Sequence, residues 1–312
     1  MKLQRLQSLA GLAGILVLAI VFSPTAADGS RIFLQAGNLT DILRQISVIG
    51  IIALAMTFVI LTAGIDLSVG SILALSTSVT AMTLGHSPHI IVAIAAALAV
   101  SMAVGALNGA VIAFLGIQPF VVTLASMIGI RGLAKWLTGN ANIDIGFGQD
   151  ISATFAAIFR QKSVVIGSYL TLAVVFWVVL ARTVFGRHVR AVGDNETAAR
   201  YTSLPIASVK IWVYSLSGLL SGIAGVLYAA ENHQGNPNAG VAYELDAIAA
   251  VVIGGTRLAG GRGSILGTIV GTLTIGVLTN MLRLNNVDSN VEMMIKAVII
   301  VLAVAVQRQR AI

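Results

Sequence analysis

The chain has 312 residues, of which 57% are hydrophobic and only 10% charged, and its formal net charge is +7. This composition lies outside the range of soluble globular domains, so we predict an integral membrane protein. Excess Lys and Arg in a membrane protein marks cytoplasmic loops, and we interpret the positive charge as topology, with no nucleic-acid partner. The sequence has no cysteine, which excludes disulfides and thiolate chemistry.

Apolar segments follow one another along the whole chain, and no shift in composition marks a separate soluble domain. About 20 apolar residues cross a hydrocarbon core of about 30 Å. We therefore predict one all-α domain, residues 1–312, built as a polytopic transmembrane bundle of about ten spans. The predicted segments are Leu6–Ser23, Ile42–Thr62, Leu67–Leu84, Ile90–Leu115, Phe120–Leu137, Val164–Ala181, Ile211–Ala230, Leu245–Gly254, Ser264–Leu282 and Val291–Val306.

The first segment permits two interpretations. Lys2 and Arg5 precede the apolar run Leu9–Phe22, and the small-residue stretch SPTAADG follows it. This pattern fits a retained first span, and it also fits a signal peptide that is cleaved. Cleavage would leave one span fewer and the same orientation of the C-terminus.

The second and third segments run together, because Ile46–Leu84 contains a single charged residue, Asp66. As one helix this stretch would be roughly 58 Å long at about 1.5 Å per residue, almost twice the thickness of the hydrocarbon core. We expect a break within Thr62–Gly70, where Gly64 weakens the helix. Asp66 is then the predicted N-cap of a helix that begins at Leu67.

Small residues recur at four-residue spacing in three places, which favours close packing of helix backbones in lipid. They are Gly105 with Gly109, Gly218 with Gly222, and the run Gly263, Gly267 and Gly271.

The eighth segment is short and runs into the glycine-rich stretch GGTRLAGGRG, so we predict a half-length or broken helix there. Glu244 and Asp246 open it, as Asp66 opens the third segment. Acids at membrane depth usually cap helices, pair with cations or line a wet path. Capping and direct substrate contact are both open for these three, and a capped, broken helix at a cavity would satisfy both.

Catalytic motifs do not emerge from the sequence. His86 and His89 form a close pair in GHSPH, but no carboxylate or cysteine lies beside them to complete a metal site. There is no HExxH or GxSxG pattern, which leaves a membrane-embedded hydrolase without support. The stretch GGTRLAGGRGS lacks the GK[ST] ending of a P-loop, so the chain is not expected to bind ATP itself.

Basic residues divide unequally between the two sides of the predicted bundle. With ten spans and the N-terminus inside, both termini are cytoplasmic, as the positive-inside rule favours. The outer loops then contain Arg31, Arg44, Arg160, Lys162 and Arg283. The inner side contains Lys2, Arg5, Arg182, Arg187, Arg190, Arg200, Lys210, Arg257, Arg262, Arg308 and Arg310.

Several motifs resemble those of one transporter family. They are AMTFVILTAGIDLSVGSILAL (Ala55–Leu75), IQPFVVTLASMIGIRGLA (Ile117–Ala134), YSLSGLLSGIAGVLYAA (Tyr214–Ala230) and YELDAIAAVVIGGTRLAGGRGSILGTIVGTL (Tyr243–Leu273). In this order and spacing, the chain is similar to the permease subunits of bacterial ribose-, xylose- and galactose-type ATP-binding-cassette (ABC) sugar importers. The resemblance covers nearly the whole chain and implies the type II, cobalamin-importer-like architecture, in the bacterial inner membrane.

The resemblance gives a role to the charged stretch in the middle of the chain. In that family the cytoplasmic loop between the sixth and seventh spans, here about 183–209, resembles the element that docks on the ATPase subunit. The stretch GDNETAARYTSLPI is suited to a short capped helix, and without the resemblance it would read as a solvated loop. The implied coupling residues are Gly193, Asp194, Asn195, Glu196, Ala199, Arg200 and Pro205.

The resemblance further implies an importer whose energy comes from outside this chain. A periplasmic binding protein would deliver a monosaccharide, two permease copies would enclose the path, and ATP and Mg²⁺ would be bound by the partner ATPase. The loop Gly139–Lys162 would lie outside, where it can touch the binding protein. Our candidates for the path, where polar groups bind the sugar weakly, are Asp66, Asn108, Thr123, Ser126, Glu244 and Asp246.

A secondary transporter or facilitator that works without an ATPase is the alternative. In that case a membrane acid would carry protons, and Asp66 is the best candidate for it. A membrane-embedded enzyme is a third possibility, but it would need a catalytic constellation that the sequence does not contain.

Overall fold

Each predicted apolar segment coincides with one helix in the computed structural model, which describes residues 2–26, 28–148 and 150–308. The helices that match these segments are α1 (Lys2–Val21), α2 (Ala36–Leu61), α3 (Val69–His86), α4 (Ile90–Leu115), α5 (Pro119–Leu137), α7 (Lys162–Arg182), α10 (Ile206–Glu231), α11 (Tyr243–Ile253), α12 (Ile265–Leu284) and α13 (Ser289–Arg308). Shorter helices between them are α6 (Ile151–Phe159), α8 (Val184–Asp194) and α9 (Glu196–Tyr201), and a 3-10 turn covers Ile32–Leu34.

Within the described residues, six helices are long and apolar enough to cross a membrane, namely α2, α4, α5, α7, α10 and α12. The protein is therefore a polytopic helical membrane protein, as the composition predicted. A total of ten spans stays a prediction. Helix α11 has only 11 residues, about half of what a span needs, which confirms the predicted half-length segment.

Helices α2, α3 and α10 form the centre of the bundle. The C-terminal half of α2 and the N-terminal half of α3 are almost completely buried, including Ile51–Leu61 and Val69–Ser78. Helix α4 packs closely against α10, because Gly105 and Gly218 face each other and a side chain at either position would overlap backbone atoms of the other helix. The glycine pairs in these two helices therefore mark a close backbone approach, as their spacing predicted.

The break between the second and third segments is confirmed, but its detail differs from the prediction. Helix α2 ends at Leu61 and α3 begins at Val69, with Ser68 rather than Asp66 in the N-cap position. The Asp66 carboxylate instead accepts hydrogen bonds from the backbone N–H and the hydroxyl of Ser68. We predicted a helix that begins at Leu67 with Asp66 as its N-cap. That prediction was wrong by two residues, because the turn formed by Asp66 and Ser68 precedes the helix.

The loop 139–162 folds against the end of α10. Strand β1 (Ile143–Asp144) pairs antiparallel with β2 (Gln234–Gly235), and α6 follows it. The Asp150 side chain caps α6 by accepting from the Ala153 N–H, and its hydrogen bond from the Ser152 hydroxyl lowers the pKa of Asp150. The described residues of loop 139–162 therefore cover this end of the bundle.

Candidate functional site

A polar network surrounds the break between α2 and α3. Asp66 is fully buried, and its second carboxylate oxygen accepts a hydrogen bond of 2.6 Å from the Ser217 hydroxyl on α10. Asn108 on α4 donates to the Ser68 hydroxyl at 3.1 Å, which in turn donates to Asp66 at 2.6 Å. Four polar side chains, two from the loop and one each from α4 and α10, thus meet in the apolar core, where their mutual hydrogen bonds offset the cost of burial.

Helix α5 joins the same loop through Thr123. Its buried hydroxyl donates to the Ile65 carbonyl at 3.1 Å, one residue before Asp66. Ser126, one turn further along α5, is half-buried and makes no described hydrogen bond to this network. Three of the predicted pathway residues, Asp66, Asn108 and Thr123, therefore lie together around one loop.

The other two predicted acids lie in the first turn of the half-length helix α11. The N-cap residue is Ala242, in the left-handed region, and the Glu244 carboxylate interacts with the backbone N–H groups of Ala242 and Glu244, which is consistent with the capping interpretation for Glu244. For Asp246 capping stays a prediction. The Asp246 carboxylate accepts a hydrogen bond from Lys296 of α13 at 3.3 Å. Glu244 lies against Gly70 at the start of α3.

Lys296 links Asp246 to a second carboxylate. Its ammonium group pairs with Glu292 at 2.9 Å, and Glu292 also accepts from Arg283 at 3.3 Å and from the Thr279 hydroxyl at 3.1 Å. Two acids and two bases therefore form a cluster without net charge at the end of the bundle where α11 and α13 begin and α12 ends. We call Asp246, Arg283, Glu292 and Lys296 the four-charge cluster.

A further cation inside the bundle is Arg131 on α5. Its guanidinium donates to the carbonyl of Pro237 at 3.0 Å and to that of Ala239, both in the segment leading into α11. The positive charge of Arg131 also attracts Glu244. The half-length helix α11 is thus held at its first turn from α5 on one side and from α13 on the other.

Sequence reasoning did not select Arg131, Glu292 or Lys296, although each falls inside a predicted span. An ionisable residue in a membrane segment is by itself a sign of a functional or paired site. Ser68 and Ser217 were missed for a different reason, because a serine in a membrane helix carries no such signal until its partner is known.

The predicted coupling residues form a small folded unit that ends in α9. Asn195 caps this helix by accepting from the Ala198 N–H at 2.9 Å, and Glu196 pairs with Arg200 at 3.3 Å and with Lys210 of α10 at 2.8 Å. Within α9 the Ala199 side chain is buried, and Pro205 directly precedes α10. Arg200 and Tyr201 are largely exposed, the latter by 87%. The exposed side chains of Arg200 and Tyr201 therefore lie on a helix that is capped by Asn195 and tied to α10 through Lys210.

Gly193, at the end of α8, contacts the end of α2 directly. A side chain at Gly193 would overlap the Leu61 carbonyl oxygen, which also accepts a hydrogen bond of 3.0 Å from the Gly261 N–H. Asp194 lies beside Gly261. Three backbone segments therefore meet without intervening side chains. They are the predicted coupling loop at Gly193, the end of α2 at Leu61, five residues before Asp66, and the segment after α11 at Gly261.

These contacts form a continuous connection between the predicted coupling loop and the break between α2 and α3. In the described ranges no group of three or more His, Asp and Glu side chains is placed to hold a metal ion. The polar side chains around Asp66 pair with one another, as do those of the four-charge cluster. The backbone contact at Gly193 joins the segment that carries α9 to the end of α2. Movement of α8 and α9 would be passed through Gly193 to the α2–α3 break.

Comparison of the amino-acid sequence with known proteins shows the family to which the chain belongs. The family described as "Branched-chain amino acid transport system / permease component" matches residues 38–304 of the chain. No solved structure matches the chain significantly.

Individual relatives are similar over almost their full length. The chain is 42% identical to the ribose import permease protein RbsC of Escherichia coli strain K12, over 96% of this chain and 93% of that protein. It is 39% identical to RbsC of Bacillus subtilis strain 168, over 98% and 94%. It is 35% identical to the D-allose transport system permease protein AlsC of Escherichia coli K12, over 94% and 90%.

Proposed function

The chain belongs to the permease subunits of ribose-type ABC sugar importers, and from this we propose that it moves a monosaccharide or related carbohydrate, delivered by a periplasmic binding protein, into the cytoplasm. The observation that carries the proposal is the 42% identity to a ribose import permease over 96% of the chain. Relatives named for ribose and D-allose point to pentoses and hexoses as a class.

The energy for import comes from a separate cytoplasmic ATPase, which holds the ATP and Mg²⁺. We assign its docking surface to α9 and the turns around it, in the loop 183–209. The support for this is the rigid mounting of the helix, since Asn195 caps it and Glu196 ties it to Lys210, together with the exposed Arg200 and Tyr201. Exposed aromatic and arginine side chains are enriched at protein interfaces.

A second permease copy completes the path. Helix α5 supports this part of the proposal, because only Thr123 and Ala134 on it are buried within one chain. Gly129 and Gly132 face open space, and small residues on a membrane helix allow another helix to approach closely. We propose a type II architecture with ten spans per copy, in the bacterial inner membrane, with both termini in the cytoplasm.

Proton-coupled transport by the chain alone is less well supported. A proton carrier needs access to water on each side of the membrane in turn. Asp66 is 0% exposed, and its carboxylate oxygens accept hydrogen bonds from Ser68 and Ser217. Its surroundings therefore favour a fixed structural carboxylate over a mobile proton carrier.

A pull-down in mild detergent tests the proposal. The tagged chain is extracted from membranes of a bacterium that encodes it, and co-purifying proteins are identified by mass spectrometry. An ATPase subunit that elutes with the chain in stoichiometric amount supports the importer. A monodisperse chain that elutes alone, from membranes in which that ATPase is present, contradicts it.

A further inference from the structure

The carboxylate of Asp66 has no cationic partner among the described residues. Asp66 is fully buried, and no described Lys, Arg or His side chain forms an ion pair with it. Its hydrogen bonds come from the Ser68 N–H and from the hydroxyls of Ser68 and Ser217, which are all neutral donors. A charge in the interior is costly unless it is paired or coordinates a metal ion. One negative charge at Asp66 therefore remains to be balanced.

The hydroxyl of Tyr214 is a second unsatisfied group beside Asp66. Tyr214 is 1% exposed, and its hydroxyl has no hydrogen-bond partner in the described part of the chain. The hydroxyl lies against Gly64, two residues before Asp66, and it is close enough to the Asp66 carboxylate for their charges to interact. A buried hydroxyl without a partner has lost its hydrogen bonds to water without replacement. The Tyr214 oxygen is therefore free to bind a ligand next to Asp66.

Ser217 brings a further oxygen to the same place. It follows Tyr214 by three residues on α10, so the two side chains lie on one face of that helix. The Ser217 hydroxyl donates its only proton to Asp66 at 2.6 Å, and none of the described groups donates to its oxygen. Both lone pairs of this oxygen therefore stay available. Asp66, Tyr214 and Ser217 together present carboxylate and hydroxyl oxygens to one buried ligand.

These oxygens indicate the class of the ligand. A set of oxygen donors without nitrogen or sulfur suits hard cations. The single carboxylate supplies one negative charge, which a monovalent cation balances and a divalent cation would exceed. Space is short, because a methyl group at Gly64 would overlap the Tyr214 hydroxyl, and this favours a small ion. Interrupted membrane helices are also places where proteins coordinate sodium, and α2 ends five residues before Asp66.

We propose that Asp66, Tyr214 and Ser217 bind a sodium ion in the break between α2 and α3. The ion neutralises Asp66, gives the Tyr214 hydroxyl a partner and fixes α10 to the loop that joins α2 and α3. It is a structural ion held inside the bundle and does not drive transport. The proposal does not rest on the identity of the sugar or on the ATPase.

Binding of radioactive sodium to the purified complex of the chain with its ATPase tests the proposal. Choline replaces sodium in the reference buffer, so that the ionic strength stays constant. We expect saturable binding of one ion per permease chain beyond what the Asp66→Asn complex binds. We also expect a higher apparent melting temperature in sodium than in choline, because a ligand that binds only the folded state stabilises it.

Tyr214→Phe removes one ligand oxygen and keeps the ring and the charge of the site. This variant should weaken sodium binding at least about tenfold, the size of effect that a lost partner has at metal sites. Tyr169→Phe is the matched control, because Tyr169 is also buried but its hydroxyl bonds to Thr272 on α12. It should bind sodium as the wild type does. If Asp66→Asn does not fold, the two tyrosine variants still provide the comparison.

Two results would overturn the proposal. The first is a wild-type complex without saturable sodium binding that melts at the same temperature in sodium and in choline, which would make Asp66 a neutral carboxylic acid. The second is equal sodium binding by the wild type and Tyr214→Phe, which would place the ion elsewhere in the complex. Neither result affects the importer, which is tested by ATP-driven sugar uptake. Sodium binding without such uptake would keep the site and reject the importer.

Discussion

Gly193 lies so close to Leu61 that no side chain fits between the predicted coupling loop and the end of α2. The contact joins the element expected to meet the ATPase to a helix that ends five residues before Asp66. It therefore provides a short backbone route from the proposed docking surface into the centre of the bundle.

Gly193→Ala is expected to lower both stability and uptake. The added methyl group would overlap the Leu61 carbonyl oxygen, and overpacking of this kind costs about 1–3 kcal/mol. The apparent melting temperature of the purified chain and the ratio of transported sugar to hydrolysed ATP are the measurements. Gly167→Ala on α7 is the matched control, because a side chain there meets nothing within 4 Å. Equal behaviour of the two variants would contradict the proposed contact.

Glu196→Arg is expected to abolish co-purification of the ATPase. The change breaks the pairs with Lys210 and Arg200 and puts a third positive charge beside them, which displaces α9. The amount of ATPase eluted per chain is the readout. We expect it to fall at least tenfold, which corresponds to a loss of at least about 1.4 kcal/mol of binding free energy. Asp144→Arg, on the exposed strand of loop 139–162, should leave the ratio unchanged. Normal ATPase recovery with Glu196→Arg would place the docking surface elsewhere.

Asn195→Ala probes the same helix without changing its charge. Loss of the cap removes the acceptor for the Ala198 N–H and costs about 1 kcal/mol of helix stability. We expect weaker ATPase recovery than in the wild type but stronger recovery than with Glu196→Arg. Asn195→Asp keeps an acceptor at this position and should restore recovery. If Asn195→Asp and Asn195→Ala behave alike, the cap has no part in docking.

Lys296→Met is expected to be more damaging than loss of an exposed ion pair. It leaves Asp246 and Glu292 without their common cation in a largely buried setting, and breaking a buried pair costs about 3–5 kcal/mol. Lys296→Arg, which keeps a cation between the two acids, should lose much less stability. The exposed pair Lys162 with Asp41 is the control, where Lys162→Met should cost less than about 1 kcal/mol. Thermal stability of the complex in detergent is the measurement, and equal losses would mean that the cluster is not coupled as described.

Asp66→Asn and Asp246→Asn test whether either acid belongs to the sugar path. If they do, uptake per folded complex falls, since each change removes a charge and an acceptor. Asp66→Ala is expected to reduce folded protein as well, because the Ser68 and Ser217 hydroxyls lose their acceptor, at about 1–3 kcal/mol for a buried group left unpaired. Wild-type uptake with both Asn variants would remove these acids from the path.

Helix positions were predictable because they depend on local sequence. The length of the apolar stretch Ile46–Leu84 required a break, and the short eighth segment became α11. The capped helix α9 likewise follows from neighbouring residues, with Asn195 before it and Arg200 in its last turn. These features need no knowledge of which helices pack together.

The partners of the polar side chains were not predictable, because they come from distant parts of the chain. Ser217 lies 151 residues from Asp66, and Lys296 lies 50 residues from Asp246. Only the packing of α10 on α3 and of α13 on α11 brings them within hydrogen-bonding distance. The same holds for Arg131, whose partners are carbonyls in the segment before α11, and a carbonyl leaves no mark in a sequence pattern.

Sugar uptake into proteoliposomes that contain the chain and its co-purified ATPase tests the central claim most directly. The binding protein is supplied outside, ATP and Mg²⁺ are enclosed inside, and labelled D-ribose, D-allose and L-arabinose are compared. We predict uptake that requires both the binding protein and enclosed ATP and that persists when an ionophore collapses the pH gradient. Uptake by the chain alone, driven by a pH gradient and indifferent to ATP, would contradict the importer.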